Sequence, residues 1–361
     1  MPTQMSSDNS TVISRIRDGV VNELTNFLNE SGRYLDGISP ELAPVTASLK
    51  DFLLEGGKRF RPLFAYIGYL GAGGSENQSA LKACASLELL QACALIHDDL
   101  MDGSDTRRNK PSIHKRFEAL HRENSLQGNA TQFGLSSAVL LGDLALIWSD
   151  AMLNQSYLGD DVHRKVFAVH DEMRIELMAG QYLDVFEQTQ STKSVSRALK
   201  IARYKSGKYS IERPLHFGAA MAHHEGRIES DYSAYGLPLG EAFQLRDDLL
   251  GVFGDPSLTG KPAGDDLREG KRTALIALAS ERGTQTQQRT LENLLGKPEI
   301  SPHEISELQT LISETGADSE IEKMISSLTE QALGALQSPE ITEQGKSLLT
   351  DLAVIATQRS K

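Results

Sequence analysis

Apolar residues recur at helical spacing along almost the whole chain. In residues 11–30 they fall on one stripe, so this segment is predicted to be an amphipathic helix. The same spacing predicts further helices at residues 45–54, 62–70, 79–101, 133–154, 161–186, 194–207, 209–222, 230–252 and 272–282. Short alternating stretches bounded by Asn-Gly or Asp-Gly turns, which are typical of β-hairpins, hardly occur. The pattern therefore predicts an all-α fold.

Three segments differ from the ordinary amphipathic helices. Residues 79–101 contain LELLQACALI, which is apolar on nearly every side, so this helix is predicted to lie inside the protein. Residues 254–273 are rich in Gly, Pro and Asp and are predicted to form the longest loop, while residues 109–132 are polar and are predicted to form a loop or a short helix. After Arg282, Leu and Ile keep helical spacing among polar residues, which predicts surface helices.

The sequence shows neither a break in composition nor an internal repeat of 20–50 residues. We therefore expect residues 1–10 to be a flexible N-terminal lead and residues 11–361 to form a single large helical domain.

The composition argues against several functional classes. The 361 residues include 37 Lys+Arg and 49 Asp+Glu, which gives a net charge of −12 and disfavours a nucleic-acid partner or a polybasic membrane anchor. The two cysteines, Cys84 and Cys93, cannot form a disulfide framework or a four-thiolate metal site, so we expect a reducing, cytoplasmic location. No uninterrupted apolar run reaches about 18 residues, and we expect no stable membrane insertion.

A first acidic cluster lies in LIHDDLMDGSDTRR, residues 95–108. On a helix, Asp98 and Asp102 lie one turn apart on the same face, and Asp99 is beside them. Like charges at this spacing destabilise a bare helix, and the preceding apolar run makes their desolvation costlier. A divalent cation would offset this cost, and carboxylate oxygens suit Mg²⁺. The alternative is a solvated acidic helix end.

A second acidic cluster ends another apolar helix, in FQLRDDLLGVFGD, residues 243–255. Asp247 and Asp248 are paired, and Asp255 follows. Carboxylates near a helix C-terminus oppose the helix macrodipole, which favours cations there. Two clusters of this kind are predicted to form two walls of one metal-binding cavity.

Basic residues accompany both acidic clusters. In GGKRFRP, residues 56–62, two glycines precede Lys58, Arg59 and Arg61, and glycine lets a backbone approach a ligand closely. Further basic residues are Arg107, Arg108, Lys205, Lys208 and Lys261. Cations next to metal-suited carboxylates fit a Mg²⁺-bound diphosphate. The Walker A pattern is absent, which disfavours nucleotide hydrolysis of the P-loop kind.

In their order and spacing, GGKRFRP, DDLMD with the following RR, and FQLRDD resemble the trans-isoprenyl diphosphate synthase (polyprenyl synthetase) family, over residues 50–275. The resemblance implies a single helical bundle around a central cavity, and a homodimer. It also implies Mg²⁺-dependent condensation of isopentenyl diphosphate with an allylic diphosphate, namely dimethylallyl, geranyl or farnesyl diphosphate. Three Mg²⁺ ions per active site are expected, with Mn²⁺ able to substitute.

The resemblance implies roles for individual residues. The metal ligands would be Asp98, Asp102 and Asp247. The catalytic set would be Asp98, Asp99, Asp102, Lys205, Asp247 and Asp248. Isopentenyl diphosphate would be held by Lys58, Arg61 and Arg108, and the allylic diphosphate by Arg107, Lys205, Gln244 and Lys261. Gln181 and Asp184 would line the cavity.

Two positions depart from the family pattern, and one histidine could be mistaken for a catalytic base. Gln91 stands where many members have His, and its amide can still donate to phosphate. Gly251 replaces the usual third acid of the second motif, which leaves Asp247 and Asp248 and makes the role of Asp255 doubtful. His97 is expected to be structural, because the departing diphosphate can take the proton.

Product length is predicted from the helix that carries the first acidic cluster. Many family members block growth at fifteen carbons with aromatic residues four or five positions before the first Asp. Here those positions hold Ala94 and Cys93, with Leu90 and Leu87 deeper. We therefore predict geranylgeranyl diphosphate as the product, the alternatives being farnesyl or longer products, or a Cys93 that is only a small core residue.

Three rival interpretations stay open. A class I terpene cyclase would share DDxxD but should lack GGKRFRP and FQLRDD. A non-catalytic subunit of a heteromeric synthase should have lost acids, and only Gly251 points that way. The third rival is an acidic metal-binding helical protein without catalysis.

Overall fold

A computed structural model describes residues 7–190, 194–222, 226–255, 264–297 and 299–358. These residues are almost entirely helical, and the predicted all-α fold is confirmed. The α-helices in chain order are α1 Ser7–Ile38, α2 Ala43–Leu54, α3 Phe60–Gly71, α4 Gln78–Met101, α5 Ile113–Glu123, α6 Ala130–Asn154, α7 Asp160–Gln188, α8 Val195–Ala202, α9 Arg213–Met221, α10 Ile228–Phe253, α11 Asp265–Glu269, α12 Ala274–Arg282, α13 Gln285–Leu294, α14 Pro302–Glu314, α15 Ala317–Ala335 and α16 Glu343–Thr357. A 3₁₀-helix, Pro40–Leu42, precedes α2, and a π-helix, Arg203–Glu212, separates α8 from α9.

The described chain divides into two compact units. The first unit comprises the described residues up to Val166 together with residues 218–222, at the end of α9 and just after it. The second takes Phe167–Phe217 and the described residues from 226 to 358. The single domain predicted for residues 11–361 stays a prediction.

The N-terminus of the chain is helical earlier than predicted. Residues 1–6 of the predicted flexible lead lie outside the described residues. Helix α1 begins at Ser7 rather than at residue 11, so the part of that lead from Ser7 to Ser10 is helical.

Helix α4 is the centre of the first unit. It begins where the Asn77 side chain accepts a hydrogen bond from the Ala80 N–H at 3.2 Å, a typical N-cap. It then packs against α1, α3 and α6. Leu87, Leu89 and Leu90 are fully buried, so this helix lies in the interior, as its uniformly apolar sequence predicts.

Helix α6 has one buried and one exposed apolar face. On the buried face Trp148 is 8% exposed, and its ring meets that of Phe27 edge-on at 6.1 Å. On the other face Leu140 and Ile147 are 66% and 63% exposed. The helix therefore presents an apolar stripe that the first unit itself does not cover.

By length and composition alone, α4 and α6 could each cross a membrane. The most apolar window of α4 is 67% buried in the protein and that of α6 is 33% buried. Core helices of soluble proteins share this length and composition. The predicted absence of stable membrane insertion stays a prediction.

A short antiparallel hairpin, which the sequence did not predict, follows α4. Strand β1, Thr106–Arg107, pairs with β2, Lys110–Pro111. The two loop residues, Arg108 and Asn109, have φ values of 54° and 60°. Positive φ at both loop residues is the requirement of a type I′ turn, which matches the twist of the strands. The Asn-Gly sequence that usually marks such a turn is absent, because the two loop residues are Arg and Asn.

The core of the second unit forms between α10 and the C-terminal helices. Leu245 and Leu249 of α10 pack in one cluster with Ile312 and Ile321, from α14 and α15. The helices after Arg282 are thus present as predicted, but their apolar stripes form a core rather than lying only at the surface. Capping boxes at Thr284 and Ser301 begin α13 and α14.

The π-helix replaces what the sequence pattern predicted as the end of one α-helix and the start of the next. At this point Gly207 lies against Gly240 of α10, where a Cβ on Gly240 would come within 2.5 Å of the Gly207 carbonyl oxygen. The two backbones can approach this closely only because both residues lack side chains. π-helical turns are frequent at functional sites.

Candidate active site

The first acidic cluster lies at the C-terminal end of α4. The Asp102 N–H donates to the Asp98 carbonyl oxygen at 2.8 Å, so the two residues are one helical turn apart. The Asp98 side chain is 16% exposed. Two carboxylates therefore stand at one helix end, where the macrodipole gives them no support.

Asp99, between them, is paired with Arg107 of the hairpin. Asp99 is 1% exposed, and its carboxylate accepts hydrogen bonds from Arg107 Nε at 2.9 and 3.2 Å and from Nη2. The same Nη2 lies 3.6 Å from Asp98 Oδ2. A buried carboxylate needs a partner of this kind. Asp99 thus holds Arg107 beside Asp98 and acts as a supporting residue.

The three basic residues of the GGKRFRP segment differ in their exposure and in their partners. Lys58 is exposed and Arg61 is half-buried in the first turn of α3. Arg59 is 4% exposed and forms an ion pair with Glu88 of α4, which is 5% exposed. The signal for this pair was present in the sequence, because Glu88 is a lone charge in an apolar run.

Arg108, the first turn residue of the hairpin, is anchored to the end of α2. Its Nη1 donates to the carbonyl oxygens of Phe52 and Glu55, both at 3.0 Å. Burial lowers the pKa of the Arg108 guanidinium, an effect that the nearby Glu88 carboxylate opposes. The three residues implied to hold isopentenyl diphosphate therefore all belong to the first unit.

The residues that precede Asp98 on α4 are small or buried. Ala94 is half-buried one turn before Asp98, and Leu90 and Leu87 are fully buried further back. Gln91 is half-buried on the same side of the helix. On this side of α4 the small side chain of Ala94 therefore lies next to the acidic cluster, and the larger side chains of Leu90 and Leu87 lie further from it.

Cys93 lies on a neighbouring face of α4 together with His97. Its Sγ is 3.8 Å from His97 Nδ1, and burial raises the pKa of the thiol to about 12. His97 Nε2 lies 3.1 Å from the Val139 carbonyl oxygen and packs on Gly142, where a Cβ would come within 2.0 Å of that nitrogen. These contacts agree with a structural role for His97.

The second acidic cluster differs from the first in its pairing. Asp247 is half-buried on α10, whereas Asp248 is 4% exposed. Gln244 Nε2 donates to Asp248 Oδ1 at 2.8 Å, and no Lys or Arg of the described residues forms an ion pair with Asp248. Burial raises the pKa of Asp248 to about 8, with the charges of Asp266 and Asp247 adding to the effect.

The position of the missing third acid is filled from another helix. A Cβ on Gly251 would lie 1.9 Å from Oδ2 of Asp266, so the Asp266 carboxylate, carried by α11, occupies that volume. Lys271 Nζ is 3.5 Å from Asp266 Oδ1. Asp255 is exposed and lies two residues after Phe253, the last residue of α10. Sequence reasoning missed Asp266, because nothing in the spacing links it to Gly251.

Lys205 projects from the π-helix towards α7. Its Nζ lies 2.7 Å from Asp184 Oδ2, and Gln181 is half-buried one turn earlier on α7. A Cβ on Gly180 would come within 2.4 Å of the Lys205 backbone nitrogen. Gly180 therefore permits the close approach that brings Lys205 to Asp184.

Further ion pairs continue along the same side of α7. Glu176 pairs with Lys208 and with Arg213, whose Nε lies 2.7 Å from Glu176 Oε2, and Arg213 also binds Glu172 at 2.6 Å. With Asp184, these acids follow one another at intervals of four or eight residues, and their ion pairs hold the π-helix and the first residue of α9 against α7. Lys261, also implied to bind substrate, lies outside the described residues.

Comparison with known proteins decides the family. Residues 43–312 match the polyprenyl synthetase family, which is well over half of the chain. This chain belongs to the polyprenyl synthetase family.

Individual relatives agree with this membership. Geranylfarnesyl diphosphate synthase from Aeropyrum pernix is 32% identical over 312 residues, which cover 85% of this chain and 91% of that protein. Geranylgeranyl diphosphate synthase from Sulfolobus acidocaldarius is 30% identical over 308 residues, covering 83% and 86%. The crystal structure of geranylgeranyl pyrophosphate synthase from Corynebacterium glutamicum, complexed with isoprenyl diphosphate and magnesium, is 42% identical, with a TM-score of 0.93 over 96% of this chain and 99% of that one.

The predicted family, its all-α fold and its trans-prenyltransferase chemistry are thereby confirmed. Members of the polyprenyl synthetase family depend on Mg²⁺, and the residues of this chain fit that ion. Among the described residues, no three His, Cys, Asp or Glu side chains are grouped to hold a metal. Mg²⁺ commonly takes one or two carboxylates and completes its shell with water and phosphate oxygens. Asp98 and Asp102 supply two such carboxylates at one helix end.

Proposed function

We propose that this polyprenyl synthetase condenses isopentenyl diphosphate with allylic diphosphates and releases mainly geranylgeranyl diphosphate. The observation that carries the proposal is the end of α4, where Asp98 and Asp102 stand above half-buried Ala94 and buried Leu90 and Leu87. Carboxylates suited to a metal-bound diphosphate thus adjoin an apolar helix face that suits a growing prenyl chain.

The protein's own side chains bind the two substrates in this proposal. Lys58, Arg61 and Arg108 hold isopentenyl diphosphate. The allylic diphosphate is held by Arg107, Lys205, Gln244 and Lys261, with Gln91 and Gln181 as further donors. Asp98, Asp102 and Asp247 would hold Mg²⁺, which when bound would neutralise the diphosphate and so assist its departure. Three such ions per site, and replacement by Mn²⁺, are part of the proposal.

The chemistry follows from charge and from the exclusion of water. Cations around the allylic diphosphate stabilise the negative charge that develops as its C–O bond breaks. The double bond of isopentenyl diphosphate then attacks the allylic cation, and the proton lost from the adduct passes to the departed diphosphate. Apolar α4 residues keep water from quenching the cation. Since the departed diphosphate acts as the base, the reaction does not need His97 as a base, and His97 can have a structural role.

The activity is tested with purified protein, Mg²⁺, isopentenyl diphosphate and, in turn, dimethylallyl, geranyl and farnesyl diphosphate. We expect pyrophosphate release together with chain extension, and a twenty-carbon product on chromatography. Cyclised hydrocarbon would support a terpene cyclase, and absence of turnover would support a non-catalytic subunit or a plain metal-binding protein. A fifteen- or twenty-five-carbon main product would retain the chemistry and overturn the proposed length.

Product length has a separate test. Ala94→Phe places an aromatic ring one turn below Asp98, and Cys93→Tyr places one on the neighbouring face, so both are expected to shorten the product to fifteen carbons. The measurement is the ratio of fifteen- to twenty-carbon product. An unchanged ratio in both variants would place the floor of the chain-binding space elsewhere.

Assembly and location complete the proposal. We propose a homodimer, supported by the stripe on α6 that exposes Leu140 and Ile147 seven residues apart. Light scattering should give twice the mass of one chain, and Leu140→Arg should weaken the assembly. A cytoplasmic location is supported by two free, buried cysteines, Cys84 and Cys93, and cell fractionation tests it.

A further inference from the structure

Arg59 joins three helices of the first unit. Its guanidinium binds the Glu88 carboxylate of α4 through Nη1 and donates through Nη2 to the carbonyl oxygen of Leu53, in the last turn of α2. Its own carbonyl oxygen accepts the Leu63 N–H at 3.0 Å, which makes Arg59 the residue from which α3 starts. One side chain thus fixes the end of α2 and the start of α3 against α4.

Arg108 contacts the same helix end from the hairpin. Its two acceptors, the carbonyl oxygens of Phe52 and Glu55, flank the Leu53 carbonyl that Arg59 binds. The last carbonyls of a helix have no partner within the helix and carry partial negative charge, so guanidinium groups are suitable donors. The end of α2 is therefore shared by two arginines that come from different parts of the chain.

Both arginines have an unfavourable backbone conformation. Arg59 has φ 55° and ψ 35°, and Arg108 has φ 54°, in the left-handed region that residues other than glycine rarely adopt. Such conformations persist only where the surrounding contacts enforce them. The contacts that enforce them here are the shared helix end and, for Arg59, Glu88.

Gly57 lies between the two guanidinium groups. A Cβ at this position would be 3.3 Å from Arg108 Nη2 and 3.4 Å from Arg59 Nη1. The two cations are close enough for the charge of Arg59 to lower the pKa of Arg108, while Glu88 raises it. The negative charge of Glu88 therefore offsets the positive charges of both arginines. Lys58 is the residue next to Arg59 in the loop.

We propose that Arg59 and Glu88 are a positioning pair that sets the isopentenyl diphosphate subsite, by holding Lys58, Arg61 and Arg108 at the end of α2. The inference rests on the proposed function, because it concerns the residues that are proposed to bind isopentenyl diphosphate. Neither member of the pair touches substrate. Lys58 is the preceding residue of the loop and Arg61 lies in the first turn of α3, so a shift of Arg59 moves both.

The pair is tested with Arg59→Lys and Glu88→Gln. Lysine keeps the charge but lacks the fork needed to reach both Glu88 and the Leu53 carbonyl, and glutamine keeps the shape but removes the compensating charge. We expect each variant to raise the KM for isopentenyl diphosphate about 10- to 100-fold, since small misplacements of binding groups have effects of this size. The KM for geranyl diphosphate should change less than about 2-fold on the same reasoning.

A matched control exists in the same unit. Arg15 and Glu76 form an ion pair whose side chains are 60% and 61% exposed. Arg15→Lys and Glu76→Gln make the same chemical changes on the surface, and an exposed pair contributes little. We expect both KM values of these two variants to equal those of the wild type.

The KM values and melting temperatures of these variants distinguish a positioning role from a purely structural one. The combined Arg59→Lys/Glu88→Gln variant should show a smaller effect than the product of the two single effects, because both act through one pair. If both KM values rise equally, or if only the melting temperature falls, the pair is structural and the inference fails.

Calorimetric binding of isopentenyl diphosphate alone gives a readout that needs no turnover and distinguishes two failures. Wild-type protein that binds isopentenyl diphosphate but never extends a chain would overturn the proposed function. If wild type binds and the variants bind with unchanged Kd, the positioning pair alone is overturned. Arg59→Lys and Glu88→Gln are both conservative, and measurements well below each melting temperature keep the comparison valid if stability drops.

Discussion

Two Asp-Asp sequences lie within the last two turns of helices α4 and α10, and the buried acid of each has a different kind of partner. At the end of α4, Asp99 is 1% exposed and has a forked cation, Arg107, on its carboxylate. On α10, Asp248 is 4% exposed and has the neutral amide of Gln244. The first acid is thus paired with a cation, whereas burial raises the pKa of the second. The same dipeptide thus supports two electrostatic designs.

The difference predicts that Asp98 of the first cluster and Asp248 of the second contribute unequally to catalysis. Asp98→Asn removes a proposed metal ligand, and we expect kcat to fall by about 10³-fold or more, as for other groups that stabilise developing charge. Asp248→Asn keeps the acceptor for Gln244 and should lower kcat by less than about 10-fold on the same scale. Pyrophosphate release measures both. Unchanged circular dichroism is the control, and equal losses would refute the asymmetry.

The free energy of unfolding should also differ between variants of the two buried acid sites. Arg107→Gln leaves the buried Asp99 carboxylate without its cation, and we expect a loss of about 3–5 kcal/mol in the free energy of unfolding. Asp248→Asn removes a buried carboxyl that forms no ion pair with a Lys or Arg of the described residues, so we expect a change within about 1 kcal/mol. Urea unfolding measures both values.

A double variant provides the control for the Arg107 prediction. In Asp99→Asn/Arg107→Gln both charges are removed, so the free energy of unfolding should recover part of the loss. A double variant no more stable than Arg107→Gln would show that the pair is not what stabilises the hairpin.

A pH effect is expected from the second unit. His170 is fully buried, with Phe167 and Phe217 edge-on to its ring, and burial lowers its pKa from 6.5 to about 3, with Arg174 adding to the shift and Asp171 opposing it. Below pH 6.5 the unfolded chain protonates this histidine while the folded one does not, so stability falls as the pH drops towards 3. The expected slope is about 1.4 kcal/mol per pH unit.

The pH prediction is checked by urea unfolding at pH 7.5 and 4.5. His170→Leu should flatten the slope by about one proton. Arg107→Gln, in the first unit, should leave the contribution of His170 intact. If His170→Leu keeps the full slope, other groups cause the acid sensitivity.

The smallest effect concerns the thiols of α4. Cys84 and Cys93 are both 0% exposed, and burial raises the pKa of each thiol. Because the thiolate is the reactive form, iodoacetamide at pH 8 should modify neither residue in folded protein and both in urea. Mass spectrometry counts the modified residues. Rapid labelling of native protein would show that the helix beneath the first acidic cluster is more open than its packing indicates.

Much of the fold could be predicted from sequence because helical periodicity is local. The pattern gave α4 to within one residue at its start, and it indicated helices after Arg282. The hairpin was missed because Arg108 and Asn109 adopt positive φ values without the glycine that usually signals such a turn. Its conformation is enforced by the end of α2, which is distant in sequence.

Ordered motifs located the acidic and basic residues of the candidate site, but not what each of them does. Arg59 and Lys58 are neighbours in one basic motif, yet one is buried against Glu88 and the other is exposed. Similarly, only the fold shows that Asp266 fills the space beside Gly251. Side-chain direction and the filling of a vacant volume are set by tertiary contacts, which spacing along the chain does not encode.

Trp148, the only tryptophan of the chain, lies within the first unit against Phe27. Its fluorescence is therefore an intrinsic optical reporter for one half of the molecule, without any label. Because the helices of the second unit contribute to far-ultraviolet ellipticity but contain no indole, the two signals together can tell whether the halves melt in one step or in sequence.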